Sequence, residues 1–170
     1  MRSFFIVSAL VMGTLAGMVL CGVRVNLTGS MPIGIYVPSQ DQTYHRNDWV
    51  AVCLPKLLST QGLQNGYLMA GNCQDTNAMP VLKQLIALPG DTVEVTPTSI
   101  IVNEKSYPAK IQTQDHRGHL IKIQSKLGVK TIINNYWLYG SASDRSWDSR
   151  YYGGVERTNI IGIYRPFLVF

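Results

Sequence analysis

The feature that most constrains this chain is Phe4 to Val23, FFIVSALVMGTLAGMVLCGV, a run with no charged side chain. As a helix it would cover about 30 Å, the hydrocarbon thickness of a bilayer. Arg2 precedes the run and Arg24 follows it. The expectation is a membrane anchor over residues 1–24, amino terminus in the cytoplasm, with residues 25–170 exported. A cleaved signal peptide competes with this reading, but it wants a shorter apolar core and a small-x-small exit. Leu20-Cys21-Gly22-Val23 matches that exit poorly, and a lipid-modified Cys21 would want a small residue where Leu20 stands. The Gly13-x-x-x-Gly17 spacing suits a helix pair, and arises equally by chance in a Gly-rich span.

Past the run, 46% hydrophobic residues overall and only 15% charged argue for one folded domain rather than disorder. The net charge of +5 comes from scattered Lys and Arg rather than a block. That disfavours nucleic acid as a partner and suits a nearby anionic bilayer. Short runs rich in strand formers recur: Asp48–Leu54, Val81–Leu88, Thr92–Val95, Ile100–Val102, Ile121–Ile123, Thr131–Ile133, Tyr136–Tyr139 and Ile160–Tyr164. Pro89-Gly90-Asp91 ends one as a turn, and Asn103-Glu104-Lys105 marks a hairpin. No long 3.6-residue period follows the anchor. The expectation is a mainly antiparallel β domain, with Lys56–Met79 as a long polar loop.

Cys53 and Cys73 flank that loop in the part expected to be exported, where disulfides persist. They are expected to pair. Zinc is disfavoured, because neither His nor further Cys lies between them.

Two residues draw attention for chemistry. Ser30 sits in TGSMPIGIY, directly after the anchor. Its usual base would be a histidine, yet His45, His116 and His119 lie in polar, loop-like contexts. The alternative base is a lysine, which must be neutral to act. Lys83 is the one lysine inside an apolar run, VLKQLI. Desolvation there would lower its pKa. Taken alone, the same placement fits a lysine guarding an edge strand against aggregation, and both readings stay open at this point.

Ser30-Met31-Pro32, Arg46–Val52, Lys83 with Leu88-Pro89-Gly90-Asp91, and Gly140–Gly153 stand in the order of the boxes of type I signal peptidases. The chain resembles that family of membrane-anchored Ser/Lys proteases from about Asn26 to Arg165. The form Ser-Met-Pro-Ile-Gly-Ile-Tyr, the small size and the cysteine loop look most like its TraF branch, the conjugative-transfer signal peptidases. The resemblance implies a signal-peptidase-like antiparallel β domain behind one transmembrane helix. It implies Ser30 as nucleophile, Lys83 as general base and Ser146 as the hydroxyl that orients the lysine. It further implies Asp148 and Arg150 as a supporting ion pair, and the Ser30 amide with the Thr28 hydroxyl as the oxyanion hole. Where leader peptidases carry Gly-Asp-Asn-Arg, this chain has Gly140-Ser141-Ala142-Ser143. Asp144 therefore competes with Asp148, and the intact Asp-Ser-Arg triplet favours Asp148. A second Met before Pro32 is absent, as is room for a large accessory domain.

The implied function is removal of leader peptides from membrane-bound precursors at the outer face of the inner membrane, pilin subunits foremost. No cofactor or metal is implied. Hydrolysis and cyclisation of the product both fit. A housekeeping signal peptidase is the alternative, marked by cleavage of unrelated precursors. A non-enzymatic scaffold is the other, in which Ser30 and Lys83 would be dispensable for processing.

Overall fold

The structure, a computed structural model, describes residues 21–128 and 130–170. Among the described residues ten strands alternate with little helix: β1 (Arg24–Asn26), β2 (Gly34–Pro38), β3 (Trp49–Val52), α1 (Lys56–Gln64), β4 (Val81–Ala87), β5 (Thr92–Val95), β6 (Ser99–Val102), β7 (Lys105–Pro108), β8 (Lys130–Ile132), β9 (Trp137–Tyr139), α2 (Ser149–Tyr152) and β10 (Ile160–Val169), the last preceded by a 3-10 turn at Arg157–Asn159. One sheet has the order β1-β2-β10-β3-β4-β9 and the other β7-β6-β5-β8. Every pairing is antiparallel. A mainly β, antiparallel fold is therefore what the strand-forming runs produce.

β10 organises the larger sheet. Ile160–Tyr164 pairs with β3, and Tyr164–Val169 pairs with β2. Pro166 lies inside the strand next to a register shift, where a missing N–H is tolerated. Val50, Val52, Leu85, Leu138 and Ile163 pack as one core on this sheet. Met31, Tyr36, Ala51, Leu82 and Tyr164 form another. The smaller sheet buries Val93, Val95, Ile100 and Val102 with Ile86 and Trp137. The Asn103-Glu104 turn, both residues at positive φ, closes the β6–β7 hairpin as expected.

Two expectations change. Lys56–Met79 begins with the helix α1 rather than as loop throughout. Gly62, a loop signal in sequence, is there because a Cβ would lie 2.6 Å from Leu68 Cγ and 2.9 Å from Trp147 Cζ3. Ile121–Ile123 is not a strand: its isoleucines pack on the core, and the Ile121 N–H bond to the Thr113 carbonyl extends only an isolated bridge between Gln114 and Leu120. Residues 1–20, which hold most of the apolar run and the Gly13-x-x-x-Gly17 spacing, lie outside the described residues. Among the described residues no helix is long and apolar enough to cross a membrane.

Candidate active site

Ser30 lies in the tight connection between β1 and β2, whose register sets Asn26 opposite Gly34. The next residue, Met31, is fully buried and anchors the turn in the core. The Pro32 carbonyl accepts from the Tyr36 hydroxyl at 2.6 Å. The Ser30 carbonyl accepts from the Ala142 N–H at 3.2 Å, which docks the turn on the segment after β9. The contact needs Gly140, where a Cβ would stand 1.9 Å from Ser146 Oγ and 3.0 Å from the Ser30 carbonyl. Ser30 Oγ has Thr28 Oγ1 at 3.4 Å. Asn26, which no sequence signal singled out, holds this turn from below through Thr28, Met31 and Pro32.

Lys83 occupies the middle of β4, opposite Val50 of β3. β4 has β3 on one side and β9 on the other, so the edge-strand reading does not hold. The side chain is 4% exposed. Burial pushes its ammonium down to about 8, and the charges of Asp148 and Arg150 pull in opposite directions. Desolvation dominates because those two neighbours offset each other. Nζ donates to Ser146 Oγ at 2.8 Å.

Asp148-Ser149-Arg150 forms the wall behind the lysine. Asp148 caps α2, accepting from Arg150 N–H at 3.1 Å. Its carboxylate is gripped by the guanidinium as a fork, Nε at 2.8 Å and Nη2 at 2.9 Å, with both residues fully buried. The same carboxylate accepts from Gly140 N–H at 2.8 Å, and Ser149 Oγ accepts from Leu138 N–H at 2.8 Å. The triplet thus covers the open edge of β9, whose outward donors would otherwise be buried without partners. Asp144 is exposed and offers Arg150 only its backbone carbonyl, at 3.0 Å. On geometry, Asp148 is the structural acid of the pair. Asp91 belongs to a separate cluster, accepting from Arg46, the Leu88 N–H and Asn103.

Asn26, Thr28, Ser30, Lys83, Arg145 and Ser146 line one cleft of about 610 Å³. No Asp or Glu is among the described residues lining it. Its far wall comes from the segment after α1, through Tyr67, Met69 and Met79. Cys53 and Cys73 are bonded, as expected from their placement, and tie the end of β3 to that segment. The three histidines are exposed. His119 does have an acid, Asp115 Oδ2 at 3.2 Å, four residues away. His116 lines the cleft, a placement its polar context did not reveal. Among the described residues no cluster of His, Cys, Asp or Glu is arranged to hold a metal ion.

The family described as signal peptidase, peptidase S26, matches residues 2–168. Plasmid transfer protein TraF of Escherichia coli is 31% identical over 155 residues, covering 88% of this chain and 84% of that one. A conjugal transfer protein TraF of Agrobacterium fabrum is 29% identical over 151 residues, covering 88% and 84%. Among solved structures, a signal peptidase I from Enterococcus faecalis covers 72% of this chain and 97% of its own, at 21% identity and a TM-score of 0.41.

Proposed function

Because the chain belongs to the signal peptidase family, peptidase S26, and its relatives serve conjugal transfer, we propose that it is a membrane-anchored serine endopeptidase with a Ser30/Lys83 dyad that removes leader peptides from exported precursors, pilin subunits of a conjugation system foremost. The observation that carries this reading is Lys83. It is the buried lysine of the cleft that Ser30 lines, with a pKa lowered to about 8. A tenth or so of such a lysine is neutral at pH 7, enough to serve as a base.

In this reading Lys83 takes the proton from Ser30 Oγ as the oxygen attacks the scissile carbonyl. The oxyanion is met by the Ser30 N–H and the Thr28 hydroxyl, the second after it leaves its resting partner. The Ser30 N–H suits this role, since among the described residues it meets no protein acceptor. Donors placed where charge develops contribute about 3–4 kcal/mol each. Lys83 then returns the proton to the departing amine. Ser146 orients the lysine, and the Asp148–Arg150 pair fixes the wall that carries Ser146. Gly29 supports close passage of a substrate backbone, because a side chain there would meet no protein atom within 4 Å. The apolar run would seat the cleft at the outer face of the inner membrane, beside precursors that are themselves membrane-bound.

The acyl-enzyme has two exits. Water gives a linear product, and the substrate's own amine gives a ring. Intact mass of a pilin precursor incubated with the full chain in detergent reads both, the ring being lighter than the cleaved linear chain by one water. Ser30→Ala is expected to leave the precursor uncut; the same product from that variant would remove Ser30 from the mechanism.

A further inference from the structure

Asn26 ends β1 and is 8% exposed, a polar side chain withdrawn from water beneath the Ser30 turn. Its Nδ2 lies 3.0 Å from each of three carbonyl oxygens, those of Thr28, Met31 and Pro32. Three acceptors around one atom fix the amide's orientation, because flipping it would set Oδ1 against three carbonyls. Oδ1 therefore faces Thr28, accepting from its N–H at 3.2 Å and from its hydroxyl at 2.7 Å. A hydroxyl has one proton to donate. With that proton on Asn26, Thr28 Oγ1 has only lone pairs to turn toward Ser30 Oγ, 3.4 Å away.

We propose that Asn26 is a positioning residue for the Ser30 turn, a role that rests on Ser30 being the nucleophile. One amide shapes the backbone from Thr28 to Pro32 through its two N–H bonds and aims the Thr28 hydroxyl through its oxygen. In the resting site the Thr28 hydroxyl donates to Asn26, so it does not donate to Ser30 Oγ and leaves that oxygen's lone pairs free for attack. It becomes an oxyanion donor when negative charge appears, since a charged acceptor outcompetes the neutral amide oxygen. Asn26 Oδ1 keeps the Thr28 N–H as a partner when the hydroxyl leaves, so no buried acceptor is stranded.

Steady-state cleavage of a precursor peptide by the full chain in detergent tests this, using Asn26→Ala, Asn26→Asp, Thr28→Val and the Asn26→Ala/Thr28→Val double variant. Asn26→Ala and Asn26→Asp are expected to lower kcat ~100-fold, the scale of a small misplacement of reacting atoms, with KM nearly unchanged. Because Asn26 acts partly through Thr28, its loss should shrink to roughly tenfold or less on the Thr28→Val background. Asn26→Asp keeps the size and the acceptor and replaces only the donor, so it carries the test if Asn26→Ala does not fold. A folded Asn26→Ala or Asn26→Asp with wild-type kcat, a loss confined to KM, or losses that simply multiply with Thr28→Val would overturn the proposal. Ser30→Ala separates the two levels. If it stays active, the nucleophile is misassigned; if it is inactive while the Asn26 variants turn over normally, only the positioning role fails.

Discussion

Lys83 Nζ donates a 2.8 Å hydrogen bond to Ser146 Oγ, joining the middle of β4 to the loop after β9 across 63 residues of chain. The bond is buried, and no other side-chain partner of Nζ is found among the described residues. Ser146→Ala should therefore leave the fold intact and let the lysine swing from its working direction. We expect kcat to fall ~100-fold, in line with the cost of misaligned reacting groups. A kcat within a few fold of wild type, measured on peptide cleavage, would assign Ser146 to packing alone.

The depressed pKa of Lys83 fixes the pH dependence of activity. Below about pH 8 the amine is mostly charged and holds no lone pair for the Ser30 proton. kcat/KM should rise with pH along a limb centred near 8, far below the range of a free lysine. Lys83→Arg should be inactive throughout, because a guanidinium stays charged. A flat profile down to pH 5 would remove Lys83 as the base.

The same burial has a cost in stability, and its sign follows from proton uptake. Between about pH 8 and 10.5 the unfolded chain holds a proton on Lys83 that the folded protein has lost, so folding becomes more favourable as pH rises through this window. Below pH 8 both states are protonated and the folded state bears the full penalty, on the order of 3 kcal/mol at about 1.4 kcal/mol per pK unit. Lys83→Met should accordingly raise stability at pH 7, and its advantage should shrink toward pH 10.5. Denaturant unfolding at the two pH values measures this. A variant less stable than wild type at pH 7 would mean that the Ser146 bond outweighs desolvation.

The two acids of the Gly140–Gly153 segment should separate cleanly. Asp148 and Arg150 are both fully buried and joined by two bonds. Asp148→Asn leaves the guanidinium buried with reduced compensation, for which about 3–5 kcal/mol is the usual loss. It also weakens the cover on Gly140 N–H. Asp144→Asn touches only an exposed side chain, since its contact with Arg150 is through the backbone, and should fall within about 0.5 kcal/mol of wild type. Chemical denaturation compares them directly, and equal losses would contradict the geometry.

Much of this site was legible because its residues break local rules. A lysine inside VLKQLI and a hydroxyl pinned by Met-Pro beside an apolar run are out of place by hydrophobic patterning alone, and the structure sets them on one cleft. The Asp-Ser-Arg triplet was legible as a pattern, but its work was not. That Ser149 holds Leu138 of β9 and Asp148 holds Gly140 just after it depends on a fold-back that residue types alone do not show. Asn26 was silent for the opposite reason. A short polar residue after an apolar run reads as a linker, and its value appears only when three carbonyls converge on it. β1 and β2 were missed because β1 is three residues long with Val25 exposed, and β2, GIYVP, carries a Gly and a Pro at its ends that read as turn residues. α1 was hidden by Gly62, whose reason is tertiary: the close approach of Leu68 and Trp147.

The Cys53–Cys73 bond yields the last prediction, because it links stability to one wall of the cleft. It closes a span of 20 residues between the end of β3 and the segment after α1. In the chain-entropy model a cross-link of that length contributes about 3 kcal/mol. Oxidised, denatured protein should expose a single thiol, that of Cys21. Replacing both bonded cysteines by Ala should lower stability by roughly the chain-entropy amount. Tyr67, Met69 and Met79 border the cleft from the tethered side, while Ser30, Lys83 and Ser146 are held by separate contacts. Loosening the tether should therefore raise KM for a precursor peptide more than it lowers kcat. A kcat loss with KM unchanged would instead mean that this segment positions the reacting groups rather than the substrate.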